Sequence, residues 1–120
     1  MEHTWQFKRH QRLLKTAEFK NVFFQPHKLT NYYFTVLVKP NGLPYARLGL
    51  VIAKKYVKHA VNRNRIKRLI RESFRLHQQL LCGWDCVVLA RDKAAQANNR
   101  ILLESLTKLW QRLEYPCKNF

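Results

Sequence analysis

One stretch of the sequence, from Lys54 to Arg75, has a charge pattern suited to binding polyanions. It holds nine basic side chains and a single acidic one, Glu72. The basic residues are Lys54, Lys55, Lys58, Arg63, Arg65, Lys67, Arg68, Arg71 and Arg75. A solvated helix face usually interleaves glutamate with lysine to form ion pairs, and this stretch barely does so. We therefore predict that the stretch binds phosphate groups.

The carboxylate and histidine side chains lack the grouping that a catalytic site requires. A metal-dependent nuclease holds Mg²⁺ with clustered carboxylates, whereas the 7 acidic residues here are dispersed, without a D-x-D or E-x-x-E pair. The 5 histidines could in principle supply an acid–base pair for metal-free cleavage, but His77 falls on the apolar face of a predicted helix. We predict no catalytic residue and no metal site in this chain, and a function in binding.

A helix from about Ala60 to Leu80 must position the basic residues. One face is predicted to be buried, because Ile66, Leu69, Ile70, Ser73, Phe74 and His77 recur at the i, i+3, i+4 spacing. The border of that face carries Arg63, Asn64, Lys67 and Arg71, and the far side carries Arg65, Arg68 and Arg75. The helix therefore has two basic edges that point in different directions.

The run from Arg63 to Glu72 (RNRIKRLIRE), preceded by Lys54-Lys55 and Ala60, resembles the RNR signature of the bacterial ribonuclease P protein subunit. The resemblance extends from about Arg12 to Leu113. It implies a protein cofactor of an RNA enzyme that removes the 5′ leader from precursor tRNA. In that family the catalytic RNA holds Mg²⁺ and carries out hydrolysis, so the implied partners are the catalytic RNA and precursor tRNA, with no DNA and no membrane. We expect a protein monomer in a 1:1 RNA–protein complex.

The resemblance also implies which residues meet which RNA. The leader is expected to lie in a groove formed by Phe19, Phe23, Phe34, Val36, Val51, Arg63, Asn64, Lys67 and Arg71. The catalytic RNA is expected to contact Lys54, Lys55, Lys58, Arg65, Arg68 and Arg75, although the three lysines could serve either surface. Spacing alone favours a core role for Phe19 and Phe23, which share a helix face. Their role as stacking surfaces for bases comes from the resemblance.

The remaining patterns predict the elements around this helix. Strands are predicted at 32–39, 45–53 and 84–91, a very short edge strand within 26–30, and further helices at 17–24 and 98–113. Alternation puts Leu48, Leu50 and Ile52 towards the core and Gly49, Val51 and Ala53 on a shallow opposite surface. The placement of Phe34 and Val36 on that shallow surface rests on the register of the family.

The predicted fold class is α+β, a two-layer α/β sandwich with a mixed sheet of about four strands and three helices. The element order is α-β-β-β-α-β-α, and the resemblance implies a ribosomal-protein-S5-domain-2-like fold with a left-handed crossover. The 120 residues suffice for a single RNA-binding domain, with residues 1–12 and 114–120 as poorly ordered tails.

Composition indicates which kind of partner the protein binds and in which cell compartment it works. A formal net charge of +16 favours nucleic acid, while no run approaches the roughly 18 apolar residues of a membrane span. The sequence opens without an apolar signal stretch, and its 3 cysteines are odd in number, which predicts reduced thiols and a cytoplasmic location.

Composition alone leaves a second function open. A ribosomal or general structural RNA-binding protein would carry the same charge, and only the RNR run and the Phe19/Phe23 pair favour ribonuclease P over it. A helix-turn-helix DNA-binding protein is excluded, because predicted strands flank the basic helix instead of a short turn and a partner helix.

Overall fold

A computed structural model describes residues 11–13 and 15–113 of the chain. The helices are α1 (Thr16–Phe23), α2 (Ala60–Leu76), α3 (Gln78–Leu81) and α4 (Asn99–Gln111), with a 3₁₀ turn at Asp92–Gln96. The strands are β1 (His27–Thr30), β2 (Phe34–Pro40), β3 (Arg47–Val51) and β4 (Trp84–Ala90). The predicted order of the elements is confirmed, except that the helix predicted over 60–80 breaks at His77, so that α3 is a separate turn.

The four strands form one mixed sheet in the order β1-β2-β4-β3. β1 pairs antiparallel with β2, and β2 pairs antiparallel with β4. β3 lies parallel to β4, with Arg47 opposite Asp85 and Val51 opposite Leu89. The parallel pair needs a long connection, which α2 and α3 supply. The predicted α+β class and mixed sheet are confirmed.

The main core lies between one face of the sheet and the helices α2 and α4. It includes Phe34, Val36, Val38, Leu48, Ile66, Ile70, Phe74, Leu102, Leu106 and Trp110. The indole Nε1 of Trp110 donates a hydrogen bond of 2.9 Å to Oγ of Ser73. That bond explains why a serine occupies the apolar face of α2, since a buried indole N–H requires an acceptor.

A smaller core lies on the opposite face of the sheet, under α1. Leu13, Val22, Leu37 and Val87 are buried there, and Phe19, Val51 and Leu89 pack partly against them. The side chains of a strand alternate between its two faces. The residues of β2 on the α1 face are therefore Thr35 and Leu37, which flank Val36, and Lys39, whose Nζ donates to the carbonyls of Asn21 and Phe24.

The prediction that Phe34 and Val36 share the shallow surface with Val51 is wrong. Both side chains are fully buried in the main core, on the face opposite Phe19. Side chains alternate between the two faces of a strand, so a register assigned with an error of one residue places every side chain on the wrong face. The prediction for β3 is confirmed, since Leu48, Leu50 and Ile52 join the main core while Val51 faces α1.

The chain segments at the two ends were predicted to be tails. Residues 1–10 and 114–120 lie outside the described residues. Gln11 and Arg12, which are described, lie against the domain: Gln11 is buried, and Arg12 forms a parallel bridge with Leu48. Among the helices of the described residues, none is long and apolar enough to span a membrane.

The cysteines differ in chemical state. Cys86 in β4 is a free, fully buried thiol, and its burial raises the pKa of that thiol. Cys82 is disulfide-bonded. The prediction of reduced thiols therefore holds for Cys86 and is wrong for Cys82, while Cys117 lies outside the described residues.

Candidate nucleic-acid interface

The first turns of α2 use two arginines to hold the surrounding backbone. Nη1 of Arg63 donates to the carbonyls of Val57 (3.0 Å) and Lys58 (2.7 Å), which fixes the connection leading into the helix. Nη1 of Arg65 donates to Oδ1 of Asn99 at 2.8 Å. The first turn of α2 has no acidic residue, so these carbonyl and amide acceptors offset the unfavourable position of cations at a helix N-terminus.

The middle of α2 borders a basic depression of about 460 Å³. Its lining residues are Arg12, Asn64, Lys67, Arg68, Arg71, Glu72 and Arg75. The five cations outnumber the single acid, and we refer to this surface as the α2 depression. Within the described residues, Lys67, Arg68 and Arg71 have neither an ion pair nor a hydrogen bond through their side chains, so these cations remain available to phosphates.

The α2 depression brings together residues predicted for two separate edges. Asn64, Lys67 and Arg71 were predicted for the leader, and Arg68 and Arg75 for the catalytic RNA. In helical projection, Arg71, Asn64, Arg75 and Arg68 follow one another from roughly 140° to 200°, so their long side chains reach one concavity. Arg65, at roughly 260°, is held instead against Asn99 and the carbonyl of Ala95.

Glu72 is neutralised inside the α2 depression by its neighbour on the helix. Nη2 and Nε of Arg75 donate to the two carboxylate oxygens of Glu72 at 2.6 and 3.2 Å. These hydrogen bonds lower the pKa of Glu72. The predicted intrahelical partner of Glu72 was Arg68 or Arg75, and Arg75 is the one observed.

α1 presents two phenylalanines of different character next to the sheet. The ring of Phe19 is partly buried and lies directly over Gly49, where an added Cβ would stand 2.7 Å from its Cε1 and Cζ atoms. Phe23 is 46% exposed. Phe19 therefore packs against the sheet with part of its ring uncovered, whereas nearly half of Phe23 is open to a ligand.

A second depression of about 460 Å³ opens on the α1 face of the sheet. It is lined by Lys28, Thr35, Leu37, Tyr56, Leu89, Ala90, Arg91 and Asp92. None of these residues was predicted for the site, although alternation within β2 would have indicated Thr35 and Leu37 once the register was known. Tyr56, with Nζ of Lys55 at 5.0 Å from its ring centroid, had no signal in the sequence.

The three lysines predicted for the catalytic RNA lie at and after the turn that follows β3. Lys54 and Lys55 belong to the turn, which is closed by a hydrogen bond of 3.0 Å from the amide of Val57 to the carbonyl of Ala53. Lys54, Lys55 and Lys58 are all exposed. This turn connects the α1 face of the sheet to α2, so its lysines are within reach of an RNA on either side.

Comparison with known proteins assigns the chain to a family. The family model described as Ribonuclease P matches residues 7–114. The chain belongs to the ribonuclease P protein family. A ribonuclease P protein component of Vibrio cholerae is 44% identical over 115 residues, which cover 96% of this chain and 98% of the relative. That of Photorhabdus laumondii is 52% identical over 106 residues, which cover 88% of this chain and 89% of the relative.

Solved structures of RNase P proteins share the fold. The protein of Thermotoga maritima superimposes with a TM-score of 0.77 at 35% identity, covering 87% of this chain and 98% of that one. A Staphylococcus aureus RNase P protein, a mutant with defective mRNA degradation activity, superimposes with a TM-score of 0.80 at 32% identity, covering 86% and 87%. The family assignment made from the RNR run is confirmed.

Three of the described acids of this ribonuclease P family member form structural hydrogen bonds or ion pairs. Asp85 accepts two hydrogen bonds from Arg47 and one from Asn41. Glu18 pairs with Arg47, and Glu104 pairs with Arg100. Residues 11–13 and 15–113 contain no cluster of three His, Cys, Asp or Glu side chains able to hold a metal ion. The donor set therefore does not fit a Mg²⁺ site on the described part of the protein.

Proposed function

We propose that this chain is the protein subunit of ribonuclease P and assists endonucleolytic removal of the 5′ leader of precursor tRNA. The observation that carries the proposal is the family match over residues 7–114 together with the α2 depression of the same chain. The protein supplies binding surfaces, and the catalytic RNA holds Mg²⁺ and carries out hydrolysis. The proposal includes that one copy of this protein binds one catalytic RNA, and that the complex works in the cytoplasm, where tRNA is processed.

The leader binds between α1 and the middle of α2. Phe23 and the uncovered part of the Phe19 ring stack bases, and stacking suits an RNA whose sequence differs between substrates. Thr35 and Leu37 take the places first given to Phe34 and Val36, and Val51 keeps its place on this face. Asn64, Lys67 and Arg71 bind leader phosphates, with Arg63 positioning the start of the helix through Val57 and Lys58.

The catalytic RNA binds the remaining cations. Arg68 and Arg75 contact it from the outer side of the α2 depression, and Lys54, Lys55 and Lys58 contact it from the exposed turn. Arg65 acts in part as a positioning residue, because its guanidinium already holds Asn99 and Ala95. Removing Arg65 should therefore weaken both protein stability and RNA assembly, whereas removing Arg68 should weaken assembly alone.

The test is cleavage of a precursor tRNA by the cognate catalytic RNA at low Mg²⁺, with and without this protein. We expect stimulation that disappears when the leader is shortened to one or two nucleotides. Tight binding to many RNAs without any stimulation would overturn the proposal and favour a general structural RNA-binding protein.

Substitution of Phe23 tests the leader groove within that assay. Phe23→Ala should weaken precursor binding by about 1–3 kcal/mol, with little dependence on salt, and leave mature tRNA binding unchanged. Phe23 is the better choice than Phe19, because Phe19 also packs on Gly49. Equal weakening of precursor and mature tRNA binding would show that Phe23 does not bind the leader.

A further inference from the structure

A third concave surface, of about 440 Å³, lies beside α4 and takes no part in the sites described above. Its walls come from the loop between β1 and β2 and from the outer side of α4, and they include Tyr32, Tyr33, Ile101, Leu109, Lys108 and Arg112. We call it the α4 surface. α4 packs in the main core, and Phe19 and Val51 pack in the smaller one, so the sheet separates the α4 surface from the leader groove.

Aromatic and aliphatic side chains are exposed on the α4 surface. Tyr32 is 60% exposed and Ile101 37% exposed. The rings of Tyr32 and Tyr33 meet edge to face, with centroids 5.1 Å apart and an interplanar angle of 89°. An edge-to-face contact covers at most one face of the Tyr32 ring, and 60% of Tyr32 stays exposed, so the ring retains surface on which a base can stack.

Asn31 holds this loop in one conformation. Its Oδ1 accepts from the backbone amides of Tyr33 (2.9 Å) and Phe34 (2.8 Å), and its Nδ2 donates to the carbonyl of Ser105 in α4 (3.2 Å). The first two bonds close the loop on itself, and the third joins it to α4. A platform that is already ordered loses little conformational entropy when a ligand binds.

The charge of the α4 surface is complementary to an anion. Lys108 is exposed on α4, and Arg112 donates from Nη1 to the carbonyl of Thr30 at 3.3 Å. Arg91, which lines the depression on the α1 face, contributes only by holding the loop: its Nη1 donates to the carbonyl of Asn31. The single acid that lines the concavity, Glu104, pairs with Arg100 at 3.4 Å. A polyanion with exposed flat rings satisfies both the cations and the tyrosine.

We propose that the α4 surface binds unpaired nucleotides of the catalytic RNA, with one base stacked on Tyr32 against Ile101 and the adjoining phosphates bound by Lys108 and Arg112. This inference rests on the proposed function. A paired base is already covered on both faces by its neighbours, so only an unpaired one can stack on a protein ring. The catalytic RNA is the occupant because the leader groove opens on the other face of the sheet.

Affinity for the catalytic RNA tests the proposal. The full-length protein is titrated against the labelled cognate catalytic RNA, and Tyr32→Ala is compared with Tyr32→Phe and with Gln79→Ala, an exposed control on α3. We expect Tyr32→Ala to weaken binding by about 5- to 150-fold, as loss of one stacking partner does, and both other variants to bind like wild type. Lys108→Ala should reduce the slope of log K against log[salt] by about 0.7.

The outcomes separate this inference from the proposed function. If wild type binds the catalytic RNA but Tyr32→Ala binds equally well, the inference fails alone. If wild type does not bind the catalytic RNA, the inference and the proposed function fail together. Thermal unfolding of Tyr32→Ala, whose side chain is largely exposed, should match wild type, so a folding defect does not explain a loss of affinity.

Photo-crosslinking identifies the occupant directly. p-Benzoylphenylalanine replaces Tyr32 in one holoenzyme preparation and Phe23 in another, each with precursor tRNA bound. We expect position 32 to crosslink to an unpaired segment of the catalytic RNA and position 23 to the leader. A crosslink from position 32 only to the leader, only to a second copy of the protein, or to nothing would overturn the proposal for the α4 surface.

Discussion

Arg47 and Asp85 form a two-pronged ion pair across the parallel strands β3 and β4. Nε of Arg47 lies 2.8 Å from Oδ1 of Asp85, and Nη2 lies 2.7 Å from Oδ2. Asp85 is 1% exposed, and its hydrogen bond to Arg47 raises the pKa of the guanidinium. The third nitrogen, Nη1, reaches Glu18 of α1 at 3.2 Å. One arginine thus ties the helix that carries Phe19 and Phe23 to the centre of the sheet.

Removing Arg47 should strongly destabilise the protein. Arg47→Ala leaves the buried carboxylate of Asp85 without its charged partner, and breaking such a pair costs about 3–5 kcal/mol. We expect a correspondingly lower midpoint in urea unfolding. Glu18→Gln, which leaves the Asp85 pair intact, should cost much less. An unfolding midpoint of Arg47→Ala equal to that of wild type would show that Asp85 is satisfied in another way.

The hydrogen bond between Trp110 and Ser73 gives a second stability prediction. Ser73→Ala leaves the buried indole N–H without its acceptor, which costs about 1–3 kcal/mol. Thr107→Ala is the matched control. The Thr107 hydroxyl donates to the carbonyl of Leu103, and that carbonyl also accepts the backbone hydrogen bond of the helix, so the substitution leaves no group without a partner. We expect chemical unfolding to separate the two variants. A Ser73→Ala protein as stable as wild type would mean that water replaces the serine.

Gly49 sets the position of the Phe19 ring. Gly49→Ala places a methyl group 2.7 Å from two ring atoms, so the ring must move away from β3. We expect weaker binding of precursor tRNA, by up to about 3 kcal/mol if stacking is lost entirely, and unchanged binding of mature tRNA.

Gly42→Ala is the control for that experiment. Gly42 has a φ of +69° with nothing within 4 Å of an added Cβ, so alanine there strains the turn by about 1–2 kcal/mol without touching α1. It should lower stability and leave the ratio of precursor to mature affinity unchanged. If Gly49→Ala behaved like Gly42→Ala, the position of the Phe19 ring would have no bearing on leader binding.

The sequence determined the strongly periodic parts of this fold and of its site. The apolar positions of α2 were predicted because burial of one helix face requires the 3.6-residue period, and Ile66, Leu69, Ile70 and Phe74 are buried as expected. In β2 the run FTVLVKP offers apolar side chains on both faces. No alternation distinguishes the two faces there, which is why Phe34 and Val36 were assigned to the wrong one.

The limits of prediction are different for the charged residues. Projection around α2 gave the angular position of every basic residue of the helix. An angular position does not say how far an arginine side chain extends or which loop lies beside it. Arg68 and Arg75 join Lys67 in one depression, and Arg65 is bound to Asn99, because of neighbours distant in sequence. Residues 32 and 33 were assigned to the predicted strand 32–39, but β2 begins at Phe34. The loop 31–33 is held instead by α4, more than seventy residues away, which the local sequence does not indicate.

The middle and the start of α2 should differ in their response to salt. Lys67→Ala removes a cation that has no side-chain partner in residues 11–13 and 15–113, so the slope of log K against log[salt] for precursor tRNA should fall by about 0.7–0.9 with stability unchanged. Arg65→Ala also removes the bond to Asn99 and should lower thermal stability. Equal stability losses in both variants would contradict this division between binding and positioning cations.

The buried thiol of Cys86 predicts a pH dependence of stability. Burial raises the pKa of this thiol in the folded protein, while the unfolded chain releases the proton from about pH 8.5 upward. Above that pH the unfolded state binds fewer protons than the folded state, so the free energy of unfolding falls as pH rises, by up to about 1.4 kcal/mol per unit.

Cys86→Ala isolates this contribution, because other groups titrate in the same range. The difference in unfolding free energy between wild type and Cys86→Ala should shift with pH between about 8 and 10 and stay constant at neutral pH. Alkylation supplies an independent measurement: since a fully buried thiol reacts only after the chain opens, labelling of Cys86 by iodoacetamide should follow the rate of global unfolding. Rapid labelling of the folded protein, or parallel pH profiles for the two proteins, would contradict the burial of an uncharged thiol in β4.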